Sequence, residues 1–321
     1  MPGLASRRVD VVVATYGHPE LLASCLRSLN AMTFRDYRLI VVDDASPEPA
    51  LPVVQHYHPG ATVLQAASNG GLVRGLNRGI SSGRSPLVAL LNDDTEVAPE
   101  WLGSLVDAAD RFPNAGSFAS KMLLMEDPPR FHTAGDGFGA WGMPFNRGVW
   151  LDDLGQYDLE EQVFGACAGA ALYRRSALQT VAIDDRTVFD PDFLMYLEDV
   201  DLAWRLQRRG FDCIYVPTAV VRHHLSASGG GRLASYYVSR NIWSVLAYSM
   251  PRSLLRLHWK RIIAHHLGRN ARHLRSIRSP EARAALRGTL AGAALLLSPY
   301  RRRPVPDDGY NGFPISLEQA P

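Results

Sequence analysis

The feature that most constrains the fold is the alternation of short apolar runs and amphipathic segments along the first third of the chain. Apolar, mostly β-branched runs predict strands at Val9–Ala14, Arg38–Val42, Thr62–Ala66 and Leu87–Leu91. Apolar residues at helical spacing predict helices at Pro19–Asn30, Leu72–Ser81 and Pro99–Asp110. Strands that alternate with helices form a parallel sheet covered on both faces. The sequence therefore predicts an α/β fold with a doubly wound, Rossmann-like, mostly parallel central sheet.

Composition excludes several other classes of protein. The chain has 321 residues, of which 46% are hydrophobic, so it can bury a large core and is not a disordered chain, a collagen-like repeat or a disulfide-stapled miniprotein. Its cysteines, Cys25, Cys167 and Cys213, are far apart and lie in no paired motif. This pattern argues against a disulfide framework or a zinc site, and we expect a reducing, cytoplasmic location. No apolar run reaches the roughly 20 residues of a membrane-spanning helix.

The formal net charge of +2 conceals two oppositely charged parts. Between Arg252 and Arg303 there are 13 Lys and Arg residues and one acid, Glu281, which gives this stretch a charge of +12. The remainder therefore carries −10. Such asymmetry indicates a basic region with a role of its own.

Acidic clusters follow two of the predicted strands, where ligands of open α/β sheets bind. Asp43 lies in V-V-D-D-A-S, and its carboxylate could accept hydrogen bonds from a nucleobase or a ribose. A turn in which Asp44 or Ser46 caps the next segment is an equally good interpretation. Asp93 and Asp94 follow the fourth strand and supply oxygen ligands of the kind that Mg²⁺ prefers, although a solvated Asx-turn remains an alternative.

Two further polar groups lie in the second half of the chain. Glu198, Asp199 and Asp201 occupy the start of a predicted helix, where the helix dipole favours carboxylates. An ionised aspartate there could act as a general base, or could simply cap the helix. His223 and His224 follow a predicted strand, and a neutral imidazole could bind a metal or lie unused at the surface.

The segment from Lys121 to Phe164 alternates glycines with aromatic residues, and we expect it to be loop-like. Trp141, with Phe138 and Phe145, could stack on sugar rings. Packing of these rings into a small local core is at least as good an interpretation. After this segment, short strands are expected at Cys213–Val216 and Ala219–Arg222, and mostly helix beyond Arg232.

Seven motifs follow one another along the chain, namely V-V-V-A-T-Y-G-H, V-V-D-D-A-S, N-G-G-L-V-R-G-L-N-R-G-I, L-L-N-D-D-T-E-V, F-L-M-Y-L-E-D-V-D-L-A-W-R-L, V-V-R-H-H-L-S-A-S and Y-Y-V-S-R-N-I. In this order they resemble the family-2 glycosyltransferases of the GT-A fold, in particular the bacterial rhamnosyl- and galactofuranosyltransferase-like branch. The resemblance extends over Asp10–Trp243.

The resemblance implies a role for individual residues. It places the nucleotide of the donor beside Thr15, Tyr16, Asp43, Asn69, Asn77 and Asp93. The implied metal ligands are Asp94, in the family's D-x-D position with Asn92 first, and His223, five residues before Ser228. Asp199 aligns with the family's catalytic base. The residues expected on the acceptor side are Trp141, Glu198, Arg240 and Asn241.

By the same resemblance, the expected activity is inverting transfer of a sugar from a UDP- or dTDP-sugar to a hydroxyl of a carbohydrate or lipid-linked acceptor, in cell-surface polysaccharide or glycoconjugate synthesis. Mg²⁺ or Mn²⁺ is the expected cofactor. The alternative from another class is a noncatalytic membrane-surface binding protein that keeps the fold. A dinucleotide oxidoreductase is disfavoured because the first strand-to-helix turn, A-T-Y-G-H-P-E, lacks G-x-G-x-x-G.

We expect a catalytic domain over residues 1–231, a helical basic extension over 232–300 and a loose C-terminal tail over 301–321. Leucines, isoleucines and Trp259 interleave with arginines between Arg252 and Arg287. A basic amphipathic helix of this kind is typical of contact with an anionic membrane surface, here the inner face of the cell membrane. It could instead pack against the acidic catalytic domain. Binding of nucleic acid is disfavoured because no nucleic-acid-binding motif is present.

Overall fold

The computed structural model describes residues 7–224, 231–297, 310, 312–313 and 315–317. Its strands are β1 (Val9–Thr15), β2 (Tyr37–Asp43), β3 (Thr62–Gln65), β4 (Leu87–Asn92), β5 (Thr95–Val97), β6 (Ala115–Leu124), β7 (Phe131–Ala134), β8 (Asp136–Gly139), β9 (Met143–Asn146), β10 (Glu161–Val163), β11 (Ala170–Arg174) and β12 (Asp212–His223). Its α-helices are α1 (Pro19–Ala31), α2 (Leu51–Tyr57), α3 (Leu72–Ser82), α4 (Trp101–Arg111), α5 (Arg175–Val181), α6 (Glu198–Arg208), α7 (Gly231–Ser244), α8 (Arg252–Arg275) and α9 (Pro280–Leu296).

The strands and helices of the first 111 residues confirm the predicted pattern, and the α/β class is confirmed with them. Strands β3, β2, β1 and β4 lie side by side and run parallel. Strand β11 is antiparallel to both neighbours and joins this parallel half to the parallel pair β6 and β12. One half of the sheet is therefore parallel, and the other half is mixed.

Apolar residues fill both faces of this sheet. In β1, Val9, Val11 and Val13 point into one buried cluster and Val12 into the other. This is the alternation that a strand covered on both faces requires. Because the two faces are filled, the carboxyl ends of β1, β2 and β4 are left as the open edge, and polar residues lie there.

The segment between Lys121 and Phe164 differs from the predicted loop, because it contains the hairpin β8–β9 and the short strands β7 and β10. Its glycines permit close packing of aromatic rings. A Cβ on Gly137 would lie 2.3 Å from the Phe145 ring, and one on Gly139 would lie 2.3 Å from the Trp141 ring. The alternation of glycine and aromatic residues thus indicates rings lying over strand backbone.

Strand β12 replaces the two short strands expected at its place, and its pairing with β6 shifts register between Val216 and Val220. Pro217 lies inside this shift, where its missing N–H interrupts the ladder. The strand continues beyond the irregularity and ends at His223. Ser228, which completes the motif predicted around this histidine, lies outside the described residues.

Helices α7, α8 and α9 pack closely against one another and the sheet. A Cβ on Gly288 of α9 would lie 2.2 Å from the Tyr236 carbonyl oxygen of α7, and one on Gly292 would lie 2.4 Å from that of Arg240. Ile262 of α8 is buried in the main core cluster. None of the described helices is long and apolar enough to cross a bilayer.

The described part of the C-terminal tail is packed rather than loose. The Tyr310 ring lies 5.8 Å from the Trp204 ring, and that of Phe313 lies 6.3 Å from Phe164. Ser316 exchanges backbone hydrogen bonds with Ala140 and Phe138. The aromatic rings of Tyr310 and Phe313 therefore pack this part of the tail against the core.

A buried carboxylate joins the elements at the other end of the sheet. Asp10 accepts hydrogen bonds from Arg38 on β2, from Ser85 before β4 and from Arg175 on α5, at 2.7–3.0 Å. Burial alone would raise the pKa of this carboxyl, but the hydrogen bonds from Ser85 and Arg38 outweigh it and the pKa lies below its ordinary value.

Replacing Asp10 with alanine is expected to destabilise the protein by about 3–5 kcal/mol, because the largely buried Arg175 would lose its carboxylate partner. Since the pKa of Asp10 falls on folding, its contribution is present above the unfolded pKa of about 3.9 and is lost as the pH falls. Urea denaturation measures the change. The matched control is Asp36→Ala, whose ion pair with Arg7 is exposed and should contribute less than about 1 kcal/mol. Equal shifts for the two variants would contradict this role of Asp10.

Candidate active site

Asp94 and His223 meet at the open edge of the sheet. Strand β5 pairs with the end of β12 so that Thr95 lies opposite His223, and the His224 N–H donates to the Asp94 carbonyl oxygen at 2.9 Å. This pairing brings Asp94 Oδ1 to 3.1 Å from His223 Nε2. Both side chains are buried. The structure therefore joins the two predicted metal ligands, which are 129 residues apart in sequence.

His132 on β7 contacts the ring of His223 through a ring nitrogen. The two Nδ1 atoms are 3.3 Å apart, and Asn146 Nδ2 lies 3.3 Å from the other ring nitrogen of His132. Burial, with the charge of His223, lowers the pKa of His132 to about 3, so this ring is neutral. A neutral imidazole can hold its neighbour in one orientation by hydrogen bonding.

The donor set suits a divalent cation shared with a phosphate. Asp94 offers carboxylate oxygen and His223 offers imidazole nitrogen, while His224 lies towards Glu96 instead, with an N···O distance of 3.8 Å. Within the described ranges, no three His, Cys, Asp or Glu side chains converge as a complete site. Mg²⁺ in proteins is commonly held by one or two carboxylates together with substrate phosphates. The two residues fit that partial shell.

Asp93 lies at the carboxyl end of β4, beside the end of β1. Its carboxylate accepts hydrogen bonds from the Thr15 hydroxyl and the Tyr16 N–H. Burial raises the pKa of Asp93 to about 6, although the Thr15 hydrogen bond opposes this effect. Thr15 is buried and Tyr16 is about half exposed, so three of the predicted nucleotide contacts form one cluster with an aromatic face open to solvent.

Asp43 and Asp44 shape the loops around this cluster. The Asp43 oxygens accept from the backbone N–H groups of Ser46 and Ala50 at 2.8 and 2.9 Å, and the carboxylate is buried. Asp43 itself therefore holds the turn, whereas the turn interpretation assigned this role to Asp44 or Ser46, which accept from Gly70 and from Gly17 instead. Contact of Asp43 with a nucleobase stays a prediction. Asp44 accepts from the N–H groups of Gly70 and Gly71. It thereby fixes the loop that carries the exposed Asn69.

Asp199 is connected through backbone to the end of β4, which precedes Asp93 and Asp94. Its Oδ2 accepts a hydrogen bond from the Ala168 N–H at 3.3 Å, and the carbonyl oxygen of the next residue, Gly169, accepts from the Asn92 N–H at 2.9 Å. One short stretch of backbone therefore links the predicted base to the residue that precedes Asp93 and Asp94. Asp199 is only partly buried, which leaves its carboxylate accessible to a substrate.

Two further carboxyl groups lie near Asp199, and its charge raises the pKa of both. Burial raises the pKa of Asp199 itself. Burial and the charge of Asp199 raise the pKa of Glu198 to about 8, and Glu198 Oε2 has no hydrogen-bond partner among the described residues. Asp136 on β8 is shifted upward by the same causes and accepts from the Thr133 hydroxyl at 3.0 Å. Groups with perturbed pKa values are typical of functional sites.

The loop before Asp199 has a strained backbone. Leu194, Tyr196 and Leu197 adopt φ values of 62°, 63° and 65°, in the left-handed region that side chains disfavour. Asn241 Nδ2 donates to three carbonyl oxygens of this loop at 2.8–3.0 Å, and Arg240 Nη1 donates to that of Asp192 at 2.7 Å. The two α7 residues predicted on the acceptor side thus hold the loop that presents the base, and Asn241 is too buried to reach an acceptor.

Asn77 and Trp141 contact other protein residues, and their predicted contacts with substrates stay predictions. The Asn77 amide donates to the Phe189 carbonyl oxygen and accepts from the N–H groups of Val188 and Phe189, so it fixes the backbone there. Trp141 is buried against the Phe145 ring, 5.9 Å away, and against His265 of α8. The alternative of a small local core is correct for Trp141.

Sequence reasoning missed His132, Asp136 and Asp44. His132 and Asp136 lie in F-H-T-A-G-D-G-F-G and are the only titratable residues of this segment. Their isolation among glycine and aromatic residues was the signal that could have identified them. Asp44 follows Asp43 directly, and nothing in the motif distinguishes a carboxylate that binds a ligand from one that binds a loop.

Comparison with known proteins identifies relatives of this chain. The family model "Glycosyl transferase family 2" matches residues 10–182. An N-acetylglucosaminyl-diphospho-decaprenol L-rhamnosyltransferase of Mycobacterium tuberculosis is 29% identical over 257 residues, which cover 73% of this chain and 81% of the relative. A pre-mycofactocin glycosyltransferase of the same organism is 30% identical over 232 residues, which cover 69% of this chain and 43% of that relative.

Solved structures share the fold at low sequence identity. Staphylococcus aureus TarS superimposes with a TM-score of 0.57 at 16% identity, over 81% of this chain and 43% of TarS. The mannosyltransferase PcManGT from Pyrobaculum calidifontis, solved with GDP-Man and Mn²⁺, superimposes with a TM-score of 0.55 at 17% identity, over 92% of this chain and 79% of PcManGT. These neighbours are GT-A glycosyltransferases, as the resemblance implied. The chain therefore belongs to glycosyl transferase family 2 and has the GT-A fold.

Proposed function

We propose that this protein is an inverting, metal-dependent glycosyltransferase that moves a sugar from a UDP- or dTDP-sugar to a hydroxyl of a carbohydrate or lipid-linked acceptor. Family and fold support sugar transfer itself. The observation that supports the finer proposal is the backbone link between Asp199 and Asn92 through Ala168 and Gly169, which connects the proposed base to the strand end that leads into Asp94. Metal-dependent release of nucleoside diphosphate that requires Asp199 is the test.

Asp199 takes the proton from the attacking acceptor hydroxyl in this proposal. An aspartate whose pKa is raised by burial is a stronger base than an exposed one, provided that it is ionised at the working pH. Single displacement at the anomeric carbon inverts its configuration. Retention through a double displacement would need a second ionised carboxylate as nucleophile, and the buried Asp136, whose pKa is raised well above its ordinary value, is poorly suited to that role.

Asp94 and His223 would hold the divalent cation, either Mg²⁺ or Mn²⁺. When bound, the cation supplies positive charge to the departing nucleoside diphosphate. Asp93, Thr15 and Tyr16 would lie along the ribose and diphosphate, and Asp43 and Asn69 at the base. His132 would act as a positioning residue because its ring contacts that of His223.

We propose that the acceptor is linked to a lipid through a diphosphate. The rhamnosyltransferase relative is named for transfer to a sugar carried on decaprenyl diphosphate. The relative aligns over most of its own length with this chain, which supports an acceptor of the same chemical class. L-Rhamnose is by the same argument the first donor sugar to test, and cell-surface polysaccharide or glycoconjugate synthesis is the corresponding process.

A lipid-linked acceptor calls for contact with a membrane, and α8 offers a suitable face. Trp259, Ile263, Leu267 and Leu274 recur at helical spacing and are all about half exposed or more. Arg256 and Lys260, both exposed, lie along the same stripe. Apolar side chains that flank exposed cations match an anionic bilayer surface, into which the rings and chains insert while the cations meet headgroups.

Introducing glutamate at Ile263 and Leu267 is expected to reduce binding to phosphatidylglycerol vesicles by about tenfold or more, because two inserted chains are lost and two negative charges gained. Co-sedimentation measures the bound fraction. The control variant carries Gln179→Glu and Thr180→Glu on the exposed face of α5, which adds the same charge away from α8. Equal loss in both variants, or none in either, would refute the assignment of this face.

A further inference from the structure

A cleft between α7 and α9 is lined by three arginines and belongs to none of the groups described above. Its volume is about 770 Å³, and its walls are Arg232, Leu233, Tyr236 and Tyr237 from α7 and Pro280, Arg283, Ala284 and Arg287 from α9. The two helices touch at Gly288 and Gly292. The cleft lies beside the N-terminal parts of both helices, which supply all of its lining residues.

The cleft is strongly cationic. Arg283 is fixed by hydrogen bonds from its Nη1 to the carbonyl oxygens of Ile277 and Arg278, at 3.1 and 2.7 Å. Arg232 and Arg287 form no hydrogen bond or ion pair with any residue that the structure describes. The nearby acid is Glu281, which is bonded to Ser279. Glu281 interacts electrostatically with Arg232 and Arg283, but the three guanidinium groups outnumber this one carboxylate. Exposed guanidinium groups that share one cleft bind phosphate oxygens well, since each can donate two parallel hydrogen bonds.

The cleft also has features that a simple anion site lacks. Tyr236 and Tyr237 pack edge to face, with ring centroids 5.1 Å apart, and can each offer a hydroxyl donor. Leu233 adds an exposed apolar wall. A volume of 770 Å³ lies in the range of about 300–1,000 Å³ of sites for drug-sized ligands and far exceeds one phosphate. The expected ligand is therefore amphiphilic, with adjacent phosphates and an apolar chain.

The position of the cleft relates it to the active site. Helix α7 carries Asn241, which holds the loop before Asp199. Arg232 lies nine residues earlier on the same helix, about 13 Å along its axis, and Tyr237 lies one turn before Asn241. A rigid helix thus sets the distance between the cationic cleft and the base.

We propose that this cleft binds the diphosphate and the first part of the lipid chain of the acceptor, with Arg232, Arg283 and Arg287 as the anion ligands. The inference rests on the proposed transfer to a lipid-diphosphate-linked acceptor and adds the site that holds it. Binding there turns the acceptor saccharide towards Asp199, because α7 fixes both. The same contact lowers the concentration of acceptor that transfer requires.

The test uses geranyl diphosphate, a water-soluble prenyl diphosphate, with the full-length protein and calorimetry in EDTA. Without divalent metal the donor site has no cation to hold a diphosphate. We expect Arg283→Gln with Arg287→Gln to weaken binding by about tenfold or more. The matched control is Arg272→Gln with Arg275→Gln, which removes the same charge from the exposed end of α8 and should bind as the wild type does. Equal affinity of the cleft variant and the wild type would overturn the proposal.

Two further probes separate the sources of phosphate. Inorganic pyrophosphate should bind more weakly than geranyl diphosphate because it lacks the chain, and equal affinities would overturn the lipid part of the proposal. If phosphatidylglycerol vesicles, and not geranyl diphosphate, require Arg283 and Arg287, the cleft is a headgroup site and the proposal is wrong. The cleft variant should still release nucleoside diphosphate from the donor with Mn²⁺, so failure of the cleft is distinguishable from failure of the proposed function.

Discussion

Replacing Asp199 with asparagine is expected to reduce sugar transfer by about 10²–10⁴-fold, which is the usual contribution of a positioned general base. The amide has the size of the carboxylate but cannot take a proton from the acceptor hydroxyl. Binding of the nucleotide donor should be unchanged, because the hydrogen bonds that connect Asp199 to the strand end before Asp94 run through the backbone of Ala168, Gly169 and Asn92. Initial-rate transfer assays and calorimetry with the nucleotide measure the two quantities.

The matched control for this variant is Asp212→Asn at the start of β12, where the carboxylate accepts a hydrogen bond from Gln162 at the sheet edge. It should transfer sugar at the wild-type rate. Near-normal transfer by Asp199→Asn would show that another group is the base. Loss of both transfer and nucleotide binding would show instead that the substitution disturbs the donor site.

The pH dependence of sugar transfer is a second test of the role of Asp199. Burial raises the pKa of Asp199, and the neighbouring Glu198 and Asp136 carry raised values partly because of its charge. The base must be ionised, so wild-type transfer should decline as the pH falls, at a higher pH than the value of about 3.9 at which an exposed aspartate protonates. A decline only near that ordinary value would contradict the partly buried, crowded environment of Asp199.

Replacing Asp94 with alanine is expected to weaken Mn²⁺-dependent nucleotide binding by about 100-fold or more, since even residues that only orient a metal ligand contribute 10–100-fold in affinity. His223 would remain without its partner oxygen at 3.1 Å. Calorimetric titration of UDP or dTDP, with Mn²⁺ and with EDTA, measures the metal-dependent part. The loss should appear only in the titration with Mn²⁺.

Glu96→Gln is the control for Asp94→Ala, because Glu96 lies two residues further on β5 and accepts a hydrogen bond from Ser24 on α1. It should keep metal-dependent binding. Unchanged metal dependence in Asp94→Ala would remove this residue from the site. A noncatalytic membrane-binding protein, the alternative from another class, would bind vesicles and leave every nucleotide sugar intact in both variants and in the wild type.

Sequence periodicity was sufficient for the parallel strands because β1, β2 and β4 are covered on both faces and consist mostly of apolar residues. Asp93 and Asp94 were then predicted as site residues because they are charged and follow a strand. The fold leaves that edge of the sheet open. Periodicity failed between Lys121 and Phe164, where glycines lie under aromatic rings and the usual strand alternation is absent. Hairpin β8–β9 and the carboxylate of Asp136 were missed for that reason.

Side-chain roles were harder to predict than positions. Asn77 and Asn241 lie where the family motifs place them, yet each amide binds backbone in a neighbouring loop. An amide can donate and accept, so a motif alone does not distinguish a contact with substrate from a contact with a carbonyl oxygen. His132 was missed because its partner His223 is 91 residues away in sequence and meets it only through the sheet.

The most direct test of the central claim is the reaction itself. Wild-type protein is incubated with UDP- and dTDP-sugars, dTDP-L-rhamnose among them, and with a prenyl-diphosphate-linked saccharide, in the presence of Mn²⁺ or EDTA. Release of nucleoside diphosphate and the anomeric configuration of the product, read by NMR, are measured together. The account predicts release from one donor class only with Mn²⁺ and a product of inverted configuration. Release that is unaffected by EDTA, a product of retained configuration, or no release from any donor would contradict it.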